Sequence, residues 1–122
     1  MTFKFDPDEK GLLKVLRDYQ EEALRFVWGS DEGVTSRDVW LHVNEALRGE
    51  RAVSRASVIN FLNEMVEKGT LNLREESGKG GYHAVYTPKM DEAEFVKHIV
   101  RTVNKSMMRD FPEETSEVLK EF

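Results

Sequence analysis

Residues Ser54 to Pro88 read SRASVINFLNEMVEKGTLNLREESGKGGYHAVYTP. Ser54 is a capping residue, and Val58, Phe61, Leu62, Met65 and Val66 after it fall on one side of a helix. Lys68-Gly69 supplies the stop signal. An extended run from Thr70 to Arg74 follows, then a glycine-rich tip, Ser77 to Gly81, then a second extended run, Tyr82 to Tyr86. A helix followed at once by a two-stranded hairpin with a polar tip is the outline of a winged helix. Such domains commonly lay the helix in the major groove of DNA and the hairpin along the backbone.

Working back toward the N-terminus, two more helices are expected. Asp18-Tyr19-Gln20-Glu21 has capping-box spacing, and Tyr19, Ala23, Phe26 and Val27 then share one face as far as Trp28-Gly29. Thr35-Ser36-Arg37-Asp38 caps a second helix with Val39, Trp40, Val43, Ala46 and Leu47 inward and Gly49 beyond its end. Before them, Thr2 to Phe5 reads as a short extended arm. Asp6-Pro7-Asp8-Glu9 reads as the cap of a short turn weakened by Gly11. Past Pro88 the pattern changes. Phe95, Ile99, Val103 and Met107 recur every four residues, Val96 and Val100 widen the stripe, and a shorter helix after Pro112 carries Val118, Leu119 and Phe122. These faces have no core of their own to join and are expected to be buried against a second copy. The expected architecture is mainly α with a small β-hairpin (α+β): an arm over 1–17, a winged helix-turn-helix domain over 18–89, and dimerisation helices over 90–122.

Composition limits the function classes. The 122 residues include 34% charged and 39% hydrophobic side chains, the balance of a soluble globular chain. No apolar run approaches a membrane span, and Met1 to Lys10 has no apolar core of a signal peptide, so a cytoplasmic location is expected. Cysteine is absent, which excludes disulfides and thiolate metal sites. His42, His83 and His98 stand on different elements, and no G-x-S-x-G, phosphate loop or H-E-x-x-H occurs. No catalytic centre, metal or cofactor is therefore expected. The net charge of −5 is unevenly spread. Residues 51–89 hold six basic and four acidic residues, a net +2, while 1–50 and 90–122 are net −4 and −3. Only the winged segment suits a polyanion, and its small excess implies salt-sensitive binding helped by dimerisation.

Within that segment the candidate DNA contacts are specific. With Val58 inward, Ala56, Asn60, Asn63 and Glu67 point outward, flanked by Ser57 and Glu64. Ser57, Asn60 and Asn63 are candidates for base reading, with Asn60 suited to bidentate bonding to adenine. Ser54, Arg55 and the wing residue Lys79 are candidates for phosphate contact, as are Ser36 and Arg37 at the second helix N-terminus. Tyr82 and Tyr86 are expected to pack rather than stack on bases. Lys97, Arg101, Lys105 and Arg109 form a basic stripe at four-residue spacing, best explained as a solvated or ion-paired face. Partners are thus expected to be double-stranded DNA and a second copy, with no membrane. The competing expectation is a winged-helix module that binds protein instead of specific DNA, which the overall acidity and Glu64 favour.

The order of these pieces resembles the penicillinase-repressor family. The resemblance is carried by Phe26-Val27-Trp28, Gly33-Val34-Thr35-Ser36-Arg37-Asp38-Val39-Trp40, the run from Ser54 to Gly69, and the ending Tyr82-His83-Ala84-Val85-Tyr86-Thr87-Pro88. It extends through the C-terminal segment that opens Asp91-Glu92-Ala93-Glu94-Phe95. It implies a homodimeric repressor on a palindromic operator, with Ala56, Ser57, Asn60 and Glu64 at groove-facing positions. Basic residues are common in that family at the positions of Ala56 and Glu64, and arginine near Gly81. Its copper-sensing members carry a C-terminal cysteine cluster that this chain lacks.

Overall fold

The structure, a computed structural model, describes residues 4–78 and 81–122. Five α-helices and a three-stranded antiparallel sheet are present among the described residues. They are α1 (Asp18–Trp28), β1 (Val34–Thr35), α2 (Ser36–Ala46), α3 (Arg55–Glu67), β2 (Leu71–Gly78), β3 (Gly81–Pro88), α4 (Glu92–Asp110) and α5 (Pro112–Leu119). The chain divides into two compact units, Met1–Lys89 and Met90–Phe122.

In the first unit, three helices and the sheet enclose one core. Leu24 and Val27 of α1, Val39 and Val43 of α2, Val58, Phe61, Leu62 and Met65 of α3, and Leu71 and Val85 of the sheet are all buried. Removing each such side chain from water contributes roughly 1.5–3 kcal/mol, so this apolar set drives the fold. It also fixes which face of α3 remains outside.

Several local expectations are amended. The α1 cap is Arg17, whose N–H donates to Gln20 Oε1 at 2.9 Å. Asp18 is instead the first helical residue; its carboxylate accepts from Tyr19 N–H at 2.7 Å and pairs with Arg51. Thr35 caps α2 as expected: Asp38 N–H donates to Thr35 Oγ1 at 3.2 Å and Thr35 N–H to Asp38 Oδ2 at 3.1 Å. Ala46 is exposed, because the inward row of α2 runs Val39, Val43, Leu47 and leaves Ala46 on its edge. Residues 1–17 read as an arm, with Thr2 and Phe3 outside the described residues. Among those described, Leu12, Val15 and Leu16 are buried around a 3-10 turn over Gly11–Lys14, and Leu16 is only 1% exposed.

The hairpin is longer than its sequence suggests. β2 and β3 pair from Leu71↔Pro88 to Gly78↔Gly81, so Glu75, Glu76 and Ser77 lie in a strand. These residues have little intrinsic β preference, and pairing with Ala84, His83 and Tyr82 holds them extended. β1, two residues long and not anticipated, pairs Val34 with Tyr86 and Thr35 with Val85, giving the order β1-β3-β2. Tyr86 is buried, as expected.

In the second unit, Asp91 caps α4: Glu94 N–H donates to Asp91 Oδ1 at 2.8 Å and Asp91 N–H to Glu94 Oε1 at 3.2 Å. Pro112 opens α5, where its fixed φ and missing N–H cost nothing. Val96, Val100, Val103 and Met107 of α4 and Val118 and Leu119 of α5 are exposed, Val100 by 52%; Phe122, beyond α5, is 97% exposed. Ile99 is half-buried, and Phe95 is already buried in the single chain. No described helix is long and apolar enough to cross a membrane.

Candidate nucleic-acid interface

The position of α3 is fixed before its first residue. Asn44 of α2 grips the main chain of Val53 from both sides: Val53 N–H donates to Asn44 Oδ1 at 2.8 Å, and Asn44 Nδ2 donates to Val53 O at 3.1 Å. Trp40 Nε1 donates to the same carbonyl at 2.9 Å, and Asn44 Nδ2 also reaches Trp40 O at 2.9 Å. Ser54 then caps α3, accepting from Ser57 N–H at 3.1 Å. The Arg51 guanidinium lies 5.7 Å from the Tyr19 ring centre and pairs with Asp18, tying the α2–α3 turn to α1. Its hydrogen bond to Asp18 holds that carboxyl below the usual carboxylate range. Tyr19 meets Phe61 of α3 edge to face at 6.3 Å. Helix, turn and cap thus form one braced unit.

The expected α3 face is outside. Arg55, Ala56, Asn60 and Asn63 are exposed, as is the capping Ser54, and Ser57 is half-buried. Their functional groups are not equally free. Ser54 Oγ donates to Ser57 Oγ at 2.9 Å, leaving the Ser57 hydrogen to be donated outward. The Tyr86 hydroxyl donates to Asn63 Oδ1 at 2.6 Å, joining α3 to β3. Tyr86 is 2% exposed, and burial raises its phenol pKa above the ordinary value, so it remains a donor at neutral pH. The Asn60 amide has no partner within the described residues, and the residue is exposed.

Ser36 and Arg37 occupy the first turn of α2, where Arg37 is exposed and Ser36 half-buried. Lys79 lies outside the described residues. Arg74, one of the basic residues of the winged segment, is engaged at home: its Nε pairs with Glu76 at 2.7 Å and a terminal nitrogen donates to Glu32 O at 2.7 Å. It braces β2 against the loop before β1.

His42 is engaged within α1 and α2. His42 stacks on Phe26 at 4.4 Å and meets Glu22 at 3.2 Å. No group of three or more His, Asp or Glu side chains able to hold a metal occurs among the described residues. Sequence periodicity found the α3 face, because periodicity reports burial. It gave no sign of Asn44, Arg51 or the Tyr86–Asn63 bond, each of which depends on a partner 9 to 33 positions away.

The family model described as Penicillinase repressor matches residues 16–122. No curated protein and no solved structure matches the chain.

Proposed function

The chain belongs to the penicillinase-repressor family, a family of transcription regulators, and we propose that it acts in the cytoplasm as a homodimer that binds a palindromic double-stranded DNA operator and represses transcription. The observation that carries this reading is the outward polar face of α3, braced at its start by Asn44, Trp40 and Ser54 and followed directly by a wing. A recognition helix needs that combination, since base edges are read only by side chains whose backbone is held in register.

In this reading Arg55, Ser36, Arg37, Ser54 and Lys79 contact phosphates and set the register. Ser57, Asn60 and Asn63 read bases, and Ala56 leaves room for close approach. The exposed apolar residues Val96, Val100, Val103, Met107, Val118, Leu119 and Phe122, with half-buried Ile99, form the surface between two copies. Phe95 is 4% exposed and adds to that surface only from beneath. Joining two recognition helices makes the second half-site contact intramolecular, which offsets the weak positive charge of each one.

Sedimentation velocity of the full chain and of Val100→Asp and Val103→Asp, combined with DNA titration, tests this. The wild type is expected to sediment as a dimer, and the variants as folded monomers with operator affinity reduced at least about tenfold, the loss expected when the second contact no longer forms intramolecularly. Variants that stay dimeric and bind normally would overturn the assignment of the surface. A wild type that binds no DNA at low salt would favour a protein-binding module.

A further inference from the structure

Asn63 lies on the exposed face of α3, yet its amide is tethered by a residue of the sheet. The Tyr86 hydroxyl donates to Asn63 Oδ1 at 2.6 Å. Tyr86 is buried, and Asn63 Oδ1 is the acceptor of its one hydrogen. A carboxamide is planar, so turning its oxygen toward β3 turns its NH2 away. Asn63 therefore has one lone pair of its oxygen committed to Tyr86 and keeps both N–H donors. Ser57 likewise has one lone pair engaged, since its oxygen accepts from Ser54 Oγ at 2.9 Å, and its own hydrogen remains to be given. Asn60 differs: its amide keeps both functions.

The geometry points to Tyr86 as a specificity-determining positioning residue, one that presets Asn63 as a donor-only reader of guanine. The inference rests on the reading of α3 as the groove-facing helix. The usual pairing of asparagine with adenine needs the amide oxygen to accept from the adenine amino group while the NH2 donates to N7. With Asn63 Oδ1 already accepting from Tyr86, that pairing requires one oxygen to serve both the phenol and adenine, which disfavours it. Guanine alone shows two adjacent acceptors, N7 and O6, in the major groove, so an NH2 that only donates finds a partner there and meets no opposing donor. Cytosine presents a donor to a donor, adenine sets its amino group beside N7, and thymine has one acceptor flanked by a methyl. One guanine per half-site follows, alongside an adenine read by the untethered Asn60.

The test is enrichment of a random-sequence duplex pool by the full-length protein and by three variants, scored base by base. The wild type is expected to enrich one guanine per half-site that Asn63→Ala no longer selects, a change of roughly tenfold at that position alone. Tyr86→Phe frees the amide, so adenine is expected to rise to near parity with guanine at that same position while the others keep their preferences. Asn63→Asp replaces donors with acceptors at an exposed site that tolerates the change, and is expected to turn the guanine into cytosine. It keeps the inference testable if Tyr86→Phe folds poorly in a thermal melt. A uniform loss of affinity, with every preference intact, would reduce Tyr86 to a structural brace and overturn the inference. So would an Asn63→Ala profile identical to the wild type. A wild type that enriches no sequence at all would sink the operator reading itself, and this inference with it.

Discussion

A Cβ on Gly33 would lie 2.6 Å from Val85 Cγ1 and 2.9 Å from Thr87 Cγ2, at a φ of +96°. Both facts follow from β1, which Gly33 leads into the edge of β3. Gly33→Ala is expected to destabilise the domain by at least about 1–3 kcal/mol from the backbone conformation alone. A drop of several degrees in the melting midpoint would show it, and an unchanged midpoint would mean that β1 does not pair as described. Arg51 and Asp18 give a pH-dependent case. The Asp18 carboxyl is held below its ordinary value of 3.8, first by the hydrogen bond from Arg51. A carboxyl depressed in the folded state stabilises above its unfolded value, and the contribution is lost as pH falls through the folded value. Arg51→Met is therefore expected to cost stability at neutral pH, by no more than about 1 kcal/mol because the pair is half-exposed. That cost should shrink as the pH falls below about 3.8. Urea melts at neutral pH and near pH 3 check it; a cost independent of pH would assign the role of Arg51 to its contact with Tyr19.

Among the elements, the α2–α3 turn is the most consequential. Asn44→Ala leaves the Val53 N–H without its partner and removes the amide that also holds Val53 O and Trp40 O. The expected cost is about 1–3 kcal/mol in stability. DNA binding should weaken more than the loss of folded protein explains, because α3 then starts from an unbraced turn. Titration at a temperature where the variant is fully folded separates the two effects. These elements also show what a sequence can and cannot reveal. α2, α3 and α4 were legible because a capping residue or a 3.6-residue apolar period is a local signal, and Thr35 and Ser54 cap as their spacing predicts. β1 was illegible because two residues have no period, and its pairing comes from Tyr86 and Val85, 52 and 50 positions away. The wing tip was drawn too wide because Glu75-Glu76-Ser77 lacks β preference and is extended by its partner strand. On α3, Ala56, Asn60, Asn63 and Glu67 were identifiable as exposed from periodicity alone. The tether on Asn63 was not, since nothing local in Asn63 or Tyr86 announces the other.

For the whole molecule, the spread of charge bears on the proposed function. The chain is net −5, and only residues 51–89 are net positive, by 2. Few phosphates can be neutralised by one copy, so under the proposed function binding is expected to combine a modest salt slope per copy with a strong dependence on dimerisation. The family membership places the chain among transcription regulators; the exposed stripes of α4 and α5 supply the surface on which the dimer reading depends. The most direct measurement is a fluorescence-anisotropy titration of the purified protein with the DNA upstream of its own gene, against scrambled DNA, at two salt concentrations. The account predicts preferential binding to the upstream DNA, weakened by added salt and by Asn60→Ala. Absence of binding to either DNA at low salt would contradict it.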